Sequence, residues 1–245
     1  MKKIIIVVLA LSIVGVFEKS SSAEVTFSER VLTKYVSDAG VVFVDEPVTQ
    51  SDVSISVKNG AYLGFFYSTS LENFNSDKKG VTETDPYAGW KGSLVKVNIN
   101  AGATYFNLNP AWKFQKEDAV QLHLEVSKKF QLENSQSLTM FARIENKIAF
   151  KGEGCAKNLH LHSYARHDWT IASKVTVSQK VGVGFDNGAK KKNPALLGSY
   201  EMKISYPLGK KVSIDFSERF IAPMWHKNDK RERQIVSGCG ISMKF

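Results

Sequence analysis

The chain lacks the features that would place it in most protein classes. Beyond its first two dozen residues, no apolar run approaches the roughly 20 residues that a membrane-spanning helix requires, so a helical membrane protein is excluded. No stretch keeps a 3.6-residue apolar period long enough to define a helix. No G-x-S-x-G or comparable nucleophile motif occurs. Cysteine is scarce, at two residues in 245, and acidic residues are outnumbered, 24 against 33 lysines and arginines. A mean hydropathy of -0.20 is ordinary for a water-soluble chain. It is equally compatible with strands of which one face is wet.

What the chain does have begins at its amino terminus. Lys2 and Lys3, an apolar core from Ile4 to Phe17 and the small residues Ser21-Ser22-Ala23 have the form of a secretory signal. Cleavage is expected after Ala23, giving residues 1–23 as signal peptide and residues 24–245 as one domain. Losing Lys2, Lys3, Lys19 and Glu18 takes the formal net charge from +9 to +7. Export puts Cys155 and Cys239 in an oxidising compartment. Cys155 lies in the Gly-rich segment K-G-E-G-C-A-K and Cys239 on the apolar parity of the last strand, so no pairing is assigned.

From Glu24 onward the sequence reads as about twelve strands, near 29–38, 50–58, 61–71, 82–91, 93–106, 117–131, 136–151, 158–166, 169–186, 196–206, 210–222 and 233–245. Tight turns are expected at Lys58-Asn59-Gly60, Lys91-Gly92-Ser93, Arg166-His167-Asp168 and Pro207 to Lys210. Longer polar stretches fall between them, so short and long connections alternate. Side chains alternate as well. Val120, Leu122, Leu124 and Val126 oppose Gln121, His123, Glu125 and Ser127, while Tyr200, Met202, Ile204 and Tyr206 oppose Ser199, Glu201, Lys203 and Ser205. Charges at every second position would be ruinous in a dry core but are expected in a wet lumen. Aromatics gather near strand ends, with Trp90, Phe130, Trp169, Tyr206 and Phe245 beside short turns. Tyr105, Trp112, Phe150, Phe220 and Trp225 stand beside long loops, making two belts. These features predict an all-β fold, a transmembrane antiparallel up-and-down barrel of about twelve strands in a Gram-negative outer membrane.

The last strand, I-V-S-G-C-G-I-S-M-K-F, ends the chain on a bare aromatic. Gly240, Met243 and Phe245 at these spacings resemble the closing-strand signal by which the barrel assembly machinery recognises its clients. Leu32 to Val57, together with N-G-A-Y-L-G-F-F-Y-S-T-S-L-E-N-F and E-T-D-P-Y-A-G-W, resembles the opening strands of the TorF-type porin family of bacterial outer-membrane proteins. The likeness covers about Leu32 to Leu108. It departs in the first loop, where Asp38-Ala39-Gly40 stands in place of the family's Arg-Gly. The resemblance implies a barrel with a pore role, and it supplies no solute and no catalytic residue.

On this parity the expected pore lining is Lys96, Glu125, Arg143, Glu145, Lys147, His160, His162, Lys174, Lys180, Glu201, Lys203, Lys211, Asp215 and Arg219. The basic excess predicts a wall that favours anions. His160 and His162 share a face, but no cysteine or carboxylate stands at a closing spacing in the sequence. They are therefore assigned to polar lining, and neither a metal nor a cofactor is expected. His167, Asp168 and Ser173 form the sole local hydrolase-like grouping and are not expected to be catalytic. The basic loops Lys190-Lys191-Lys192 and Lys227 to Arg233 suit lipopolysaccharide phosphates at the outer surface better than nucleic acid. The expected function is passive diffusion of small polar solutes. The alternatives are a filled barrel acting through its loops, as adhesin, receptor or structural protein, and a barrel-borne hydrolase. Deleting Phe245 should lower the amount of inserted, heat-modifiable protein; unchanged membrane levels would contradict the assembly role.

Overall fold

The computed structural model describes residues 23–38, 41–71, 82–107, 118–149, 158–171, 174–187, 194–226 and 232–245. Fourteen strands run in chain order: β1 (Glu24–Leu32), β2 (Tyr35–Val36), β3 (Val42–Val44), β4 (Val48–Ser56), β5 (Ala61–Ser70), β6 (Thr82–Leu94), β7 (Val97–Phe106), β8 (Ala119–Glu133), β9 (Gln136–Ala149), β10 (Asn158–Ile171), β11 (Val175–Asp186), β12 (Ala195–Pro207), β13 (Val212–His226) and β14 (Gln234–Lys244). All except β2 and β3 form one closed antiparallel barrel, each strand beside its sequence neighbours, with β1 meeting β14 at the seam. The barrel therefore has twelve strands, the number read from the sequence. β2 and β3 form a separate hairpin within the first long connection.

The seam holds to the last residue. The Phe245 N–H donates to the Val25 carbonyl at 2.9 Å, and the Val25 N–H donates to the Phe245 carbonyl at 3.1 Å. Glu24 and Phe245 both lie at the short-turn end, where connections span two to four residues. At the other end they span seven to fifteen.

The faces separate as the alternation predicts. Leu122, Leu124, Val126, Val181, Tyr200, Met202, Ile204 and Phe216 are all exposed on the outside. Trp90, Phe130, Trp169, Tyr206 and Phe245 are exposed at the short-turn rim, and Phe220 and Trp225 toward the other. Trp112, Phe150 and Cys155 fall outside the described residues, while Cys239 is an exposed free thiol. Two acids break the outer pattern, Glu29 and Glu218, the latter exposed between Phe216 and Phe220 on β13. Glu29, on the same parity as the exposed Val31, accepts hydrogen bonds from the hydroxyls of Thr49 and Ser51 on β4.

Two expected turns are strand. β6 runs through Lys91-Gly92-Ser93 to Leu94, and the chain reverses at Val95 and Lys96, both at positive φ (48° and 64°). That is the backbone of a primed two-residue hairpin turn. Gly92 serves packing rather than turning, since a Cβ there would lie 2.0 Å from the Trp90 ring. β10 likewise runs through Arg166-His167-Asp168 to Ile171. The polar trio misled because Arg166 and Asp168 pair with one another on the inner face, Nε to Oδ2 at 3.0 Å. The first strand also starts earlier than the expected 29–38, because its pairing with β14 recruits residues from Glu24 onward.

A glycine at the seam carries structural weight. Gly240 lies in register between Arg30 and Asp215. A Cβ there would come within 2.7 Å of Arg30 Cγ, so the missing side chain lets Arg30 cross β14. Arg30 then approaches Asp215 at 3.8 Å, which Lys203 also meets at 3.1 Å.

If the exposed apolar face is the lipid face, a charge should cost most at mid-strand. Leu124→Arg should destabilise the vesicle-folded barrel by about 2–4 kcal/mol and Leu132→Arg, at the rim, by about 0–1 kcal/mol. Equal costs in urea titrations would contradict that orientation.

Candidate functional site: the lumen and its inward hairpin

The inner wall is built from the second parity of the same strands. Glu125 on β8 and Arg143 and Glu145 on β9 form a cross-strand set. Arg143 Nη2 lies 2.6 Å from Glu145 Oε1, and Nη1 lies 3.8 Å from Glu125 Oε2. Tyr164 on β10 donates to Glu125 Oε2 at 3.1 Å. Lys180 stands 4.1 Å from the Tyr164 ring centroid and Lys147 lies 4.0 Å from that of Phe106, both cation–π geometries. Near the long-loop end, His160 Nε2 reaches Asp186 Oδ1 at 3.0 Å.

Toward the short-turn end the wall encloses a polar cavity of about 680 Å³. Lys129, Arg166, Asp168, Lys180, Glu201 and Lys203 line it, with serines, threonines and glutamines between. Its cations outnumber its acids, four to two. The long-loop end has the opposite lean. Asp52, Glu83, Asp85 and Asp186 share that wall with Glu125 and Glu145, opposite Arg143, Lys147 and Arg219.

The lumen is narrowed by residues 33–47, which carry the β2–β3 hairpin. Apolar hairpin residues seat on apolar patches of the wall. Val36 packs with Ile221 and Val236, and Val41 with Ala195 and Leu197. These wall positions have the inward parity, so here the polar-in rule is reversed because protein, not water, covers them. The Tyr35 ring lies 5.0 Å from that of Phe43. Its hydroxyl donates to Glu83, and burial, with that carboxylate beside it, pushes the phenol up. Lys34 Nζ donates to Gln234 Oε1 at 2.8 Å. Beyond Val36, Asp38 accepts from Arg219 Nη2 at 2.5 Å. The guanidinium holds the Asp38 carboxyl down at about 2. A small pocket beside this contact is bounded by His162, Tyr164, Lys180 and Glu201.

The structure places Glu125, Arg143, Glu145, Lys147, His160, His162, Lys180, Glu201, Lys203, Asp215 and Arg219 on the inner parity of strands. Lys96, Lys174 and Lys211 are corrections, since all three belong to short turns. Lys96 is displaced by the later reversal after β6, and Lys174 precedes β11. Lys211 lies with its Nζ 5.8 Å from the Phe245 ring centroid. Five acids absent from the expected lining, Asp52, Glu83, Asp85, Asp168 and Asp186, belong to the inner wall, as do the cations Lys129 and Arg166. The net-positive lining expected from the sequence thereby gains acids and is divided along the axis, basic toward the short turns and acidic toward the long loops. His167 and Asp168 have opposite parities on β10, so they do not converge; Ser173 lies outside the described residues. So do Lys190 to Lys192 and residues 227–231. Gly240 and Met243 lie in β14 and Phe245 at the seam.

The geometry is that of a closed, twelve-stranded antiparallel β-barrel with a polar inner wall. No family model matches the chain, and no curated protein matches it. Among solved structures it is similar to the KdgM porin in complex with disordered oligogalacturonate. The TM-score is 0.57 at 10% identity, over 91% of this chain and 99% of that one. It is also similar to the COG4313 outer membrane channel from Pseudomonas putida F1, with TM-score 0.57 and 9% identity over 91% and 96%. The translocator domain of the autotransporter NalP from Neisseria meningitidis gives 0.56 at 10% identity over 99% and 96%. At such identities the likeness is one of fold alone.

The Asp38 carboxyl is depressed in the folded state, so its contribution to hairpin docking is complete above the unfolded carboxylate value of about 3.9. It should be lost as pH falls through about 2. A dye on Asp45→Cys, with both native cysteines replaced by serine, should report docking that is flat from pH 7 to 5 and weakens below about 4. A transition centred near neutrality would contradict the Asp38–Arg219 contact.

Proposed function

We propose that the protein is a porin-type channel of the Gram-negative outer membrane, exported by cleavage of residues 1–23 and related to the TorF-type family. It passes small polar solutes by passive diffusion. The observation that carries this reading is the polar cavity of about 680 Å³ within the barrel, lined by charged and hydroxyl side chains. Side chains packed to exclude water would be apolar there. That some neighbours of the same fold are named porins and channels is consistent with it.

The solute preference assigned is a mild one for anions, set in the short-turn half by Lys129, Arg166, Lys180 and Lys203. The acidic groups of the other half moderate it. Substrate selection then combines width at the hairpin with a field that changes sign along the axis. The outer-surface loops, with lysines 190 to 192 and the basic stretch 227–233, are assigned to lipopolysaccharide, and Phe245 to recognition by the assembly machinery.

A second reading is favoured by one observation, the hairpin docked inside the barrel. Under it the barrel is filled and acts through its long loops as adhesin, receptor or scaffold. A planar bilayer under a salt gradient separates the two. The wild-type barrel should conduct with an anion-directed reversal potential, and Lys180→Glu with Lys203→Glu should move that potential toward cations. Conduction with a potential unmoved by the double variant would remove these lysines from the path. A folded barrel that never conducts would establish the filled reading.

A further inference from the structure

The alternating parity puts His160 and His162 on the inner face of β10, two residues apart. The register supplies the third group, since His160 stands directly opposite Glu145 of β9 and His162 opposite Arg143. Glu145 Oε2 faces both imidazoles, 3.6 Å from His160 Nδ1 and 3.7 Å from His162 Nε2. The two rings are 5.7 Å apart and nearly perpendicular. One ligand atom from each of the three residues falls within 4.8 Å of the others.

These separations exceed hydrogen bonds but match a coordination shell. Ligands held at about 2.1 Å from a tetrahedral zinc ion are about 3.4 Å apart along each edge. The two contacts to Glu145 are already within about 0.3 Å of that edge, and the two imidazole nitrogens, within 4.8 Å of one another, would close around the ion. His162 Nε2 is buried and makes no hydrogen bond in the described structure, which leaves its ring nitrogen directed at Glu145 without a partner at bonding distance.

The surrounding groups divide the remaining valences. Arg143 occupies Oε1 of Glu145 at 2.6 Å, leaving Oε2 to the histidine side. Asp186, in register with His160 on β11, meets its Nε2 at 3.0 Å. A carboxylate in that position accepts the Nε2–H and fixes the tautomer whose Nδ1 lone pair points toward Glu145. Such carboxylate–histidine pairs orient metal ligands and raise their basicity. Two carboxylates, Glu145 and Asp186, flank the histidines, the chemistry a divalent cation would meet there.

We propose that Glu145, His160 and His162 form a binding site for one divalent transition cation of the zinc or copper class. It lies in the lumen wall near the long loops, with Asp186 as the positioning residue. Two nitrogens and one oxygen favour these ions over magnesium or calcium, which select oxygen ligands. The site does not depend on the barrel conducting, and its test is independent of conduction.

The probe is Zn(II), titrated calorimetrically into tag-free mature barrel in detergent, with heat-modifiability confirming the fold of each sample. One saturable Zn(II) per barrel is expected. The variant His160→Ala/His162→Ala should weaken it at least tenfold, Asp186→Asn by about 10–100-fold, and His167→Ala not at all. Should the double variant fail to fold, Cu(II) electron paramagnetic resonance of the wild type decides by itself. Hyperfine splitting from two imidazole nitrogens supports the site, and an all-oxygen signature overturns it. Absence of saturable Zn(II) binding by folded wild type, or binding that survives in a folded double variant, would also overturn it.

Discussion

Everything in this molecule depends on the closure of β1 on β14. A sheet edge inside a bilayer would expose backbone groups with no water to satisfy them, at several kcal/mol each, so a strand-built span must close. Here closure runs from Thr26 opposite Lys244 to Leu32 opposite Gly238, and the terminal residue itself pairs with Val25. The seam also needs room on its inner side. Gly240 provides it, letting Arg30 reach across to the Asp215–Lys203 pair, so the ring of strands is tied by side chains as well as by backbone.

Closure creates the second constraint, a lumen that must be occupied by water or by protein. The chain uses both. The short-turn half keeps a polar cavity, and the long-loop half receives the hairpin of residues 33–47. The apolar pairs Val36–Ile221 and Val41–Leu197 dock the hairpin, while Lys34 and Asp38 give it hydrogen bonds and an ion pair at the wall. Under the proposed channel reading, the hairpin would set the width of the path and the charge around the other half would bias which solutes reach it.

Much of this was legible in the sequence. Period-2 alternation and alternating connection lengths gave the strand count and the outward face of β8 and β12. Gly92 was misread because a glycine that clears space for an indole looks, in sequence, like one that turns the chain. Lys96 and Lys174 followed from such boundary errors. The inward hairpin left a trace, Tyr35-Val36 and the run Val41-Val42-Phe43-Val44 within the first long connection, but a short apolar run in a loop does not say what it packs against. The acids at 83 and 85 lie on a stretch, T-E-T-D-P-Y, whose parity carried no clear apolar partner face, whereas those at 52 and 186 stand on the polar parity of alternating strands and were legible. The meeting of Glu145 with the histidines depends on the β9–β10 register, which a single sequence does not encode locally.

The central claim is that this barrel is a channel whose bore is set by the hairpin. The most direct measurement compares single-channel conductance of the mature chain with that of a variant in which residues 34–46 are replaced by a short glycine-serine linker. The account predicts discrete steps from the native barrel and clearly larger ones from the variant. Steps of equal size would show that the hairpin does not set the bore, and silence from both folded proteins would contradict a channel altogether.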